Sequence, residues 1–140
     1  MYYSKEFYNV LSEMNVDIIE FQNKLKEKGI DPNSGDNCNY EHCIELKKIC
    51  NEIEEFRTDG NNFKYELSSL IFMIIMAVLG LSSNIREIHN YIRSHYKKFS
   101  DFIYFANDCP SYTTLRLILQ DINPEQIMYC MGKWFDYLGI

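Results

Sequence analysis

A chain of 140 residues with 46% hydrophobic composition can bury one sizeable core, or one core plus a helical appendage, but not two full domains. Only six Gly and three Pro punctuate it, and the intervening runs of Leu, Ile, Met, Lys and Glu exclude the frequent turns of an all-β fold and predict an all-α chain. The net charge of −6 argues against a protein that simply coats DNA, because phosphate neutralisation needs clustered Lys and Arg.

From Phe7 the apolar positions Phe7, Leu11, Met14, Ile18, Phe21 and Leu25 alternate spacings of four and three, which is the seam of a helix packing along another helix. Gly29 stops it. The segment Ile30 to Asn39, IDPNSGDNCN, is dense in residues that pre-set turns or bond their own backbone, and reads as a loop. A second helix is predicted from Tyr40 to Phe56, with Cys43, Leu46, Cys50 and Ile53 on one face. Residues 1–57 thus read as an antiparallel helical hairpin, and the polar break at 58–62 marks the boundary to a second part, 58–140.

The third helix is predicted over Phe63 to Leu79, apolar almost all round in its second half and ended by Gly80, so other helices must cover it from several sides. Its apolar stretch, Leu70 to Leu81, falls short of the ~20 residues needed to cross a bilayer, so no membrane span is expected. A fourth helix follows a cap at Ser82, Ser83 or Asn84 and extends to Lys98, with Ile85, Ile88, Ile92, Tyr96 and Phe99 on one face and Arg86, Arg93 and Lys97 aligned on another. A short aromatic helix at 102–105 leads to Pro110, after which Ser111 caps a helix from Tyr112 to Gln120. Asn123 followed by Pro124 opens the last helix, which carries Ile127, Met128, Met131, Trp134, Phe135 and Leu138. The second part is therefore a compact bundle of four to five helices.

The charge is divided unevenly. Residues 1–60 hold 7 basic and 13 acidic side chains, giving −6, and residues 61–140 hold 7 of each, giving 0. The halves are expected to have different tasks.

The N-terminus MYYSKEFYNV carries no apolar segment or small-residue cleavage site of the secretory kind, which predicts a cytoplasmic protein. Five Cys, an odd number, fit a reducing compartment and are read as free thiols. Cys38, His42, Cys43 and Cys50 invite a zinc reading, but their spacing is that of no usual finger, and Cys43 and Cys50 lie on an apolar seam; no metal is expected. The chain has no Gly-rich phosphate loop, HExxH or GxSxG, and Asp108-Cys109 has no His partner in sequence, so neither catalysis nor a cofactor is expected.

The segments LSSLIFMIIMAVLGL and IREIHNYIRSHYKKF, followed by NDCPSYTTLRLILQDINPEQIMYCMGKWFDYL, carry a resemblance. Residues 57–140 resemble the helical transposase-associated domain that precedes the DDE catalytic core in H-repeat-type insertion-sequence transposases. The carrying pieces are an apolar helix ending in a Gly-containing turn, Pro-Ser with a following Thr, then Asp-x-x-Pro and an amphipathic helix with a Trp. The hairpin lies outside the resemblance. No DDE triad can be carried over to this chain, so the resemblance implies a non-catalytic module that binds DNA or regulates a transposase.

Arg86, Arg93, Lys97, Lys98 and Arg116 supply the phosphate-facing charges of such a module, and Tyr112 and Thr113, at the start of a helix, are placed to hydrogen-bond backbone or base. An ordinary solvated basic face accounts for the same residues. His89 and His95 border the stripe as candidates to modulate an anionic contact, although a structural or solvated histidine explains both. The alternative reading is a protein-binding inhibitor from a mobile element or phage, whose acidic hairpin docks a basic, nucleic-acid-binding host protein through Glu13, Asp17, Glu20, Glu52, Glu54 and Glu55. The seam of residues 7–25 is equally suited to pairing with its own copy, so a homodimer fits either reading.

Overall fold

Thirteen consecutive residues, Leu67–Leu79, form a helix in which every side chain is buried, and the other helices are arranged around it. The computed structural model describes residues 19–32, 40–57, 65–80, 82, 84–100 and 109–140. Among these the helices are α1 (residues 19–27), α2 (Tyr40–Cys50), α3 (Leu67–Leu79), α4 (Ile85–His95), α5 (Tyr112–Asp121) and α6 (Pro124–Leu138). A 3₁₀ turn, Tyr96–Phe99, extends α4. The described residues contain no strand, as an all-α reading requires. The seam positions Phe7 to Ile18, Cys38, the polar break at 58–62 and the aromatic segment 102–105 lie outside the described residues.

Capping chemistry sets most of the helix ends. Asn84 accepts from the Glu87 N–H at 2.9 Å, Ser111 from Thr114 at 3.1 Å and Asn123 from Glu125 at 3.0 Å, each satisfying a donor that the first turn otherwise leaves orphaned. Gly29 closes α1 at φ 82°: its N–H donates to Lys26 and that of Ile30 to Leu25. This is the double bond of a Schellman cap, with Leu25 and Ile30 both buried beside it. Gly139 ends α6 the same way.

Helix α3 packs against α2, α4 and α6, while α5 leans on α4 and α2 on α6. One apolar cluster runs through all of them, from Leu25 and Leu46 to Phe72, Phe99 and Trp134. The N-terminal segment belongs to it. Phe21 stacks on Phe135 with ring centroids 4.6 Å apart, the buried Gln22 amide donates to the Leu79 carbonyl at the end of α3 at 2.6 Å, and the Tyr91 hydroxyl donates to the Pro32 carbonyl.

Three boundaries differ from the sequence expectation. Helix α2 ends at Cys50 rather than Phe56, because Asn51 N–H is shared between the Lys47 and Lys48 carbonyls and the next two bonds are of the tighter i→i+3 kind. Beyond it Arg57 clasps the chain in an extended course, bonding the Glu55 carboxylate at 2.6 and 2.9 Å and the Tyr65 carbonyl at 2.9 Å. Helix α3 begins at Leu67, after an extended Glu66. Helix α4 gives way to the 3₁₀ turn at Tyr96, three residues before the expected end.

A further correction concerns the thiols. Cys50, Cys109 and Cys130 are free, but Cys43 is disulfide-bonded. The expectation of five free thiols fails at Cys43, whose place on an apolar seam carries no sign of the bond. Cys50 of α2 and Cys130 of α6 face each other as buried, hydrogen-bonded thiols, an arrangement that with burial pushes the Cys50 thiol up.

Candidate nucleic-acid interface

Helix α4 divides cleanly. Ile85, Ile88, Tyr91 and Ile92 are buried against α3 and the N-terminal segment, and Arg86 and Arg93, two turns apart, are exposed on the other side. Arg93 bonds only loosely to the Asn90 side chain, at 3.4 Å. Lys97 and Lys98 are exposed in the 3₁₀ turn that continues α4.

Helix α5 meets this side at its start. Leu115, Ile118 and Leu119 are buried, leaving Tyr112 and Thr113 exposed and Arg116 partly so. The Arg86 guanidinium sits 6.0 Å from the centre of the Tyr112 ring, at the outer limit of a cation–π contact. The His89 ring meets the Tyr112 ring edge to face at 6.1 Å and 84°. Burial and the nearby Arg93 charge hold the His89 imidazole below the usual histidine range, and the Pro110 carbonyl beside it acts in the opposite direction.

The structure thus brings Arg86 and Tyr112 into contact, with Arg93 on the same face, and adds His89 as the residue between them. The sequence expectation for His89 is a structural or solvated residue bordering the stripe. Its position three residues after Arg86 and four before Arg93 was the available signal, since those spacings share a helix face. The exposed start of α5 adds backbone N–H groups and the positive end of a helix dipole to the same side.

The acidic residues are arranged differently. Glu52 lies 2.8 and 2.9 Å from the Lys133 ammonium on α6 and accepts from the Tyr129 hydroxyl at 3.2 Å, which holds its carboxyl below the usual range. Glu55 is bonded to Arg57, and Glu20 pairs with Lys24 one turn on at 3.3 Å. Glu54 is exposed. Glu13 and Asp17 lie outside the described residues.

An all-helical module with one basic, aromatic face is what these elements define. Residues 48–135 match the family model described as DDE_Tnp_1-associated. The match covers more than half of the chain, and the protein belongs to that family, the N-terminal region associated with DDE transposases and distinct from their catalytic core. No curated protein and no solved structure matches the chain. Among the described residues no helix is long and apolar enough to cross a membrane.

Proposed function

We propose that this chain is a non-catalytic, transposase-derived module that binds DNA in the cytoplasm through the face shared by α4 and the start of α5. The observation that carries the reading is the convergence of Arg86, Arg93 and Tyr112 on one exposed side, with the N-terminus of α5 beside them. Guanidinium groups and a helix N-terminus favour phosphate, and an exposed tyrosine offers a hydroxyl and a flat ring. Arg116, Lys97, Lys98 and Thr113 extend the contact along the same two elements.

Docking of a basic host protein by the acidic N-terminal part is less well supported. Three of its carboxylates, Glu20, Glu52 and Glu55, are already held by cations of this chain, and a partner must compete with those pairs.

The test is a salt-titrated binding assay on a mixed-sequence DNA duplex, with the triple variant Arg86→Glu, Arg93→Glu, Lys97→Glu alongside. Phosphate contacts release counterions, so affinity should fall steeply as salt rises and should be lost in the triple variant. Full affinity in that variant, or none in the parent at low salt, would remove the assignment.

A further inference from the structure

The imidazole of His89 is the group through which α4 touches both the Pro110 carbonyl and the Tyr112 ring. We infer that His89 is a positioning residue of this face, which sets the first turn of α5 against α4 and tightens DNA binding when it takes up a proton. The inference rests on the DNA-binding reading above.

A neutral imidazole has one N–H donor, and the Pro110 carbonyl is placed to accept it. In that form His89 only orders the junction: it fixes the residue before the Ser111 cap and presents its ring to Tyr112. Protonation creates a second N–H donor without releasing the first. The new charge stands three residues after Arg86 and four before Arg93, spacings that share a helix face.

The groups that face His89 among the described residues are all uncharged or cationic. Arg93 comes from its own helix, Tyr112 from α5 and the Pro110 carbonyl from the lead into α5, with Arg86 beyond the Tyr112 ring. In the free protein this environment and partial burial disfavour the imidazolium. A bound phosphate reverses the balance by placing negative charge beside the ring. Binding is then linked to proton uptake, and affinity rises as pH falls through the histidine range. If the phosphate lifts the imidazole pKa by about one, the gain below both values is up to about tenfold.

The experiment measures affinity for a mixed-sequence duplex at fixed low salt, at about pH 5.5 and 7.5, for the parent, His89→Gln and His89→Ala, with His42→Gln and His95→Gln as controls. The parent should bind several-fold tighter at the lower pH, and both controls should keep that ratio. His89→Gln retains a donor for Pro110 and no titratable group, so it should match the parent at pH 7.5 and lose the pH dependence. His89→Ala should bind more weakly at both.

A His89→Gln profile that still follows the parent overturns the role given to His89 while leaving the DNA reading standing. Absence of parent binding at both pH values instead defeats the DNA reading, and this inference with it. Should the variants fail to fold, the titration of the His89 ring in the parent, followed by NMR with and without duplex, decides: an imidazole pKa that DNA does not raise overturns the inference.

Discussion

The indole N–H of Trp134 donates to the backbone carbonyl of His42 at 2.9 Å, joining the last helix to the first turn of α2. His42 lies before the family-matched residues 48–135 and Trp134 within them, so the bond crosses the limit of the match. The same two turns meet again where the Tyr137 hydroxyl approaches His42 Nδ1 at 3.2 Å.

Trp134 is fully buried, and its replacement should be costly in two stages. Trp134→Phe removes the donor and part of the volume, for an expected loss of about 1–3 kcal/mol. Trp134→Ala leaves a cavity as well, about 3–5 kcal/mol. A fragment starting at residue 48 lacks Leu25, Cys43 and Leu46 of the common core and should not unfold cooperatively. Urea titrations followed by far-UV circular dichroism check the full-length variants and the fragment alike.

Two substitutions should stabilise the protein. The Ser69 hydroxyl is buried in α3 without a hydrogen-bond partner, so Ser69→Ala should gain about 1 kcal/mol by removing an unsatisfied group and improving helix propensity. Gly132 lies in the middle of α6 with open space where a Cβ would stand, and Gly132→Ala should gain about 0.5–1 kcal/mol. Gly139, at φ 78°, should show the opposite sign as alanine, since the left-handed region strains any residue with a Cβ. Thermal melts of the three variants separate these cases.

Alkaline pH should unfold the protein partly through Tyr91. Burial pushes its phenol well above the ordinary tyrosine range, with a smaller contribution from the Asp31 charge. The folded pKa is raised, so the associated stability is complete below the unfolded value of about 10 and is lost as pH rises toward the folded one. Tyr91→Phe should remove this part of the alkaline loss while costing about 1–2 kcal/mol at neutral pH, where the Pro32 carbonyl loses its donor. Denaturant midpoints measured between about pH 8 and 11 show both effects.

Thiol labelling should discriminate among the free cysteines. Cys109 is partly accessible, whereas Cys50 and Cys130 are fully buried against each other, and the thiolate is the reacting form. Under native conditions at pH 8, an aromatic disulfide reagent should modify Cys109 first, with Cys50 and Cys130 reacting only as the fold opens. Mass mapping of the labelled peptides gives the order.

Where a local signal set the structure, the sequence revealed it. Asn84, Ser111 and Asn123-Pro124 open their helices and Gly29 and Gly80 close theirs, because a cap depends on a few adjacent residues. The end of α2 has no such marker: the N–H groups of Asn51, Glu52 and Ile53 go over to the tighter i→i+3 bonding there, a change that periodicity does not encode. The basic face was half visible for a similar reason. The helical spacing of Arg86 and Arg93 can be read from the chain, but the approach of Tyr112 to Arg86 and His89 depends on how α5 docks on α4. The commitment of Glu52 to Lys133, far along the chain, was equally hidden.

The complete burial of α3 has a consequence for reading relatives. A helix with no exposed side chain makes no contact outside the molecule, so its sequence records the demands of packing alone. Two proteins alike across α3 share a scaffold, and that likeness says nothing about what either one binds. The informative comparison lies at the rim, in what stands at the positions of Arg86, His89, Arg93 and Tyr112.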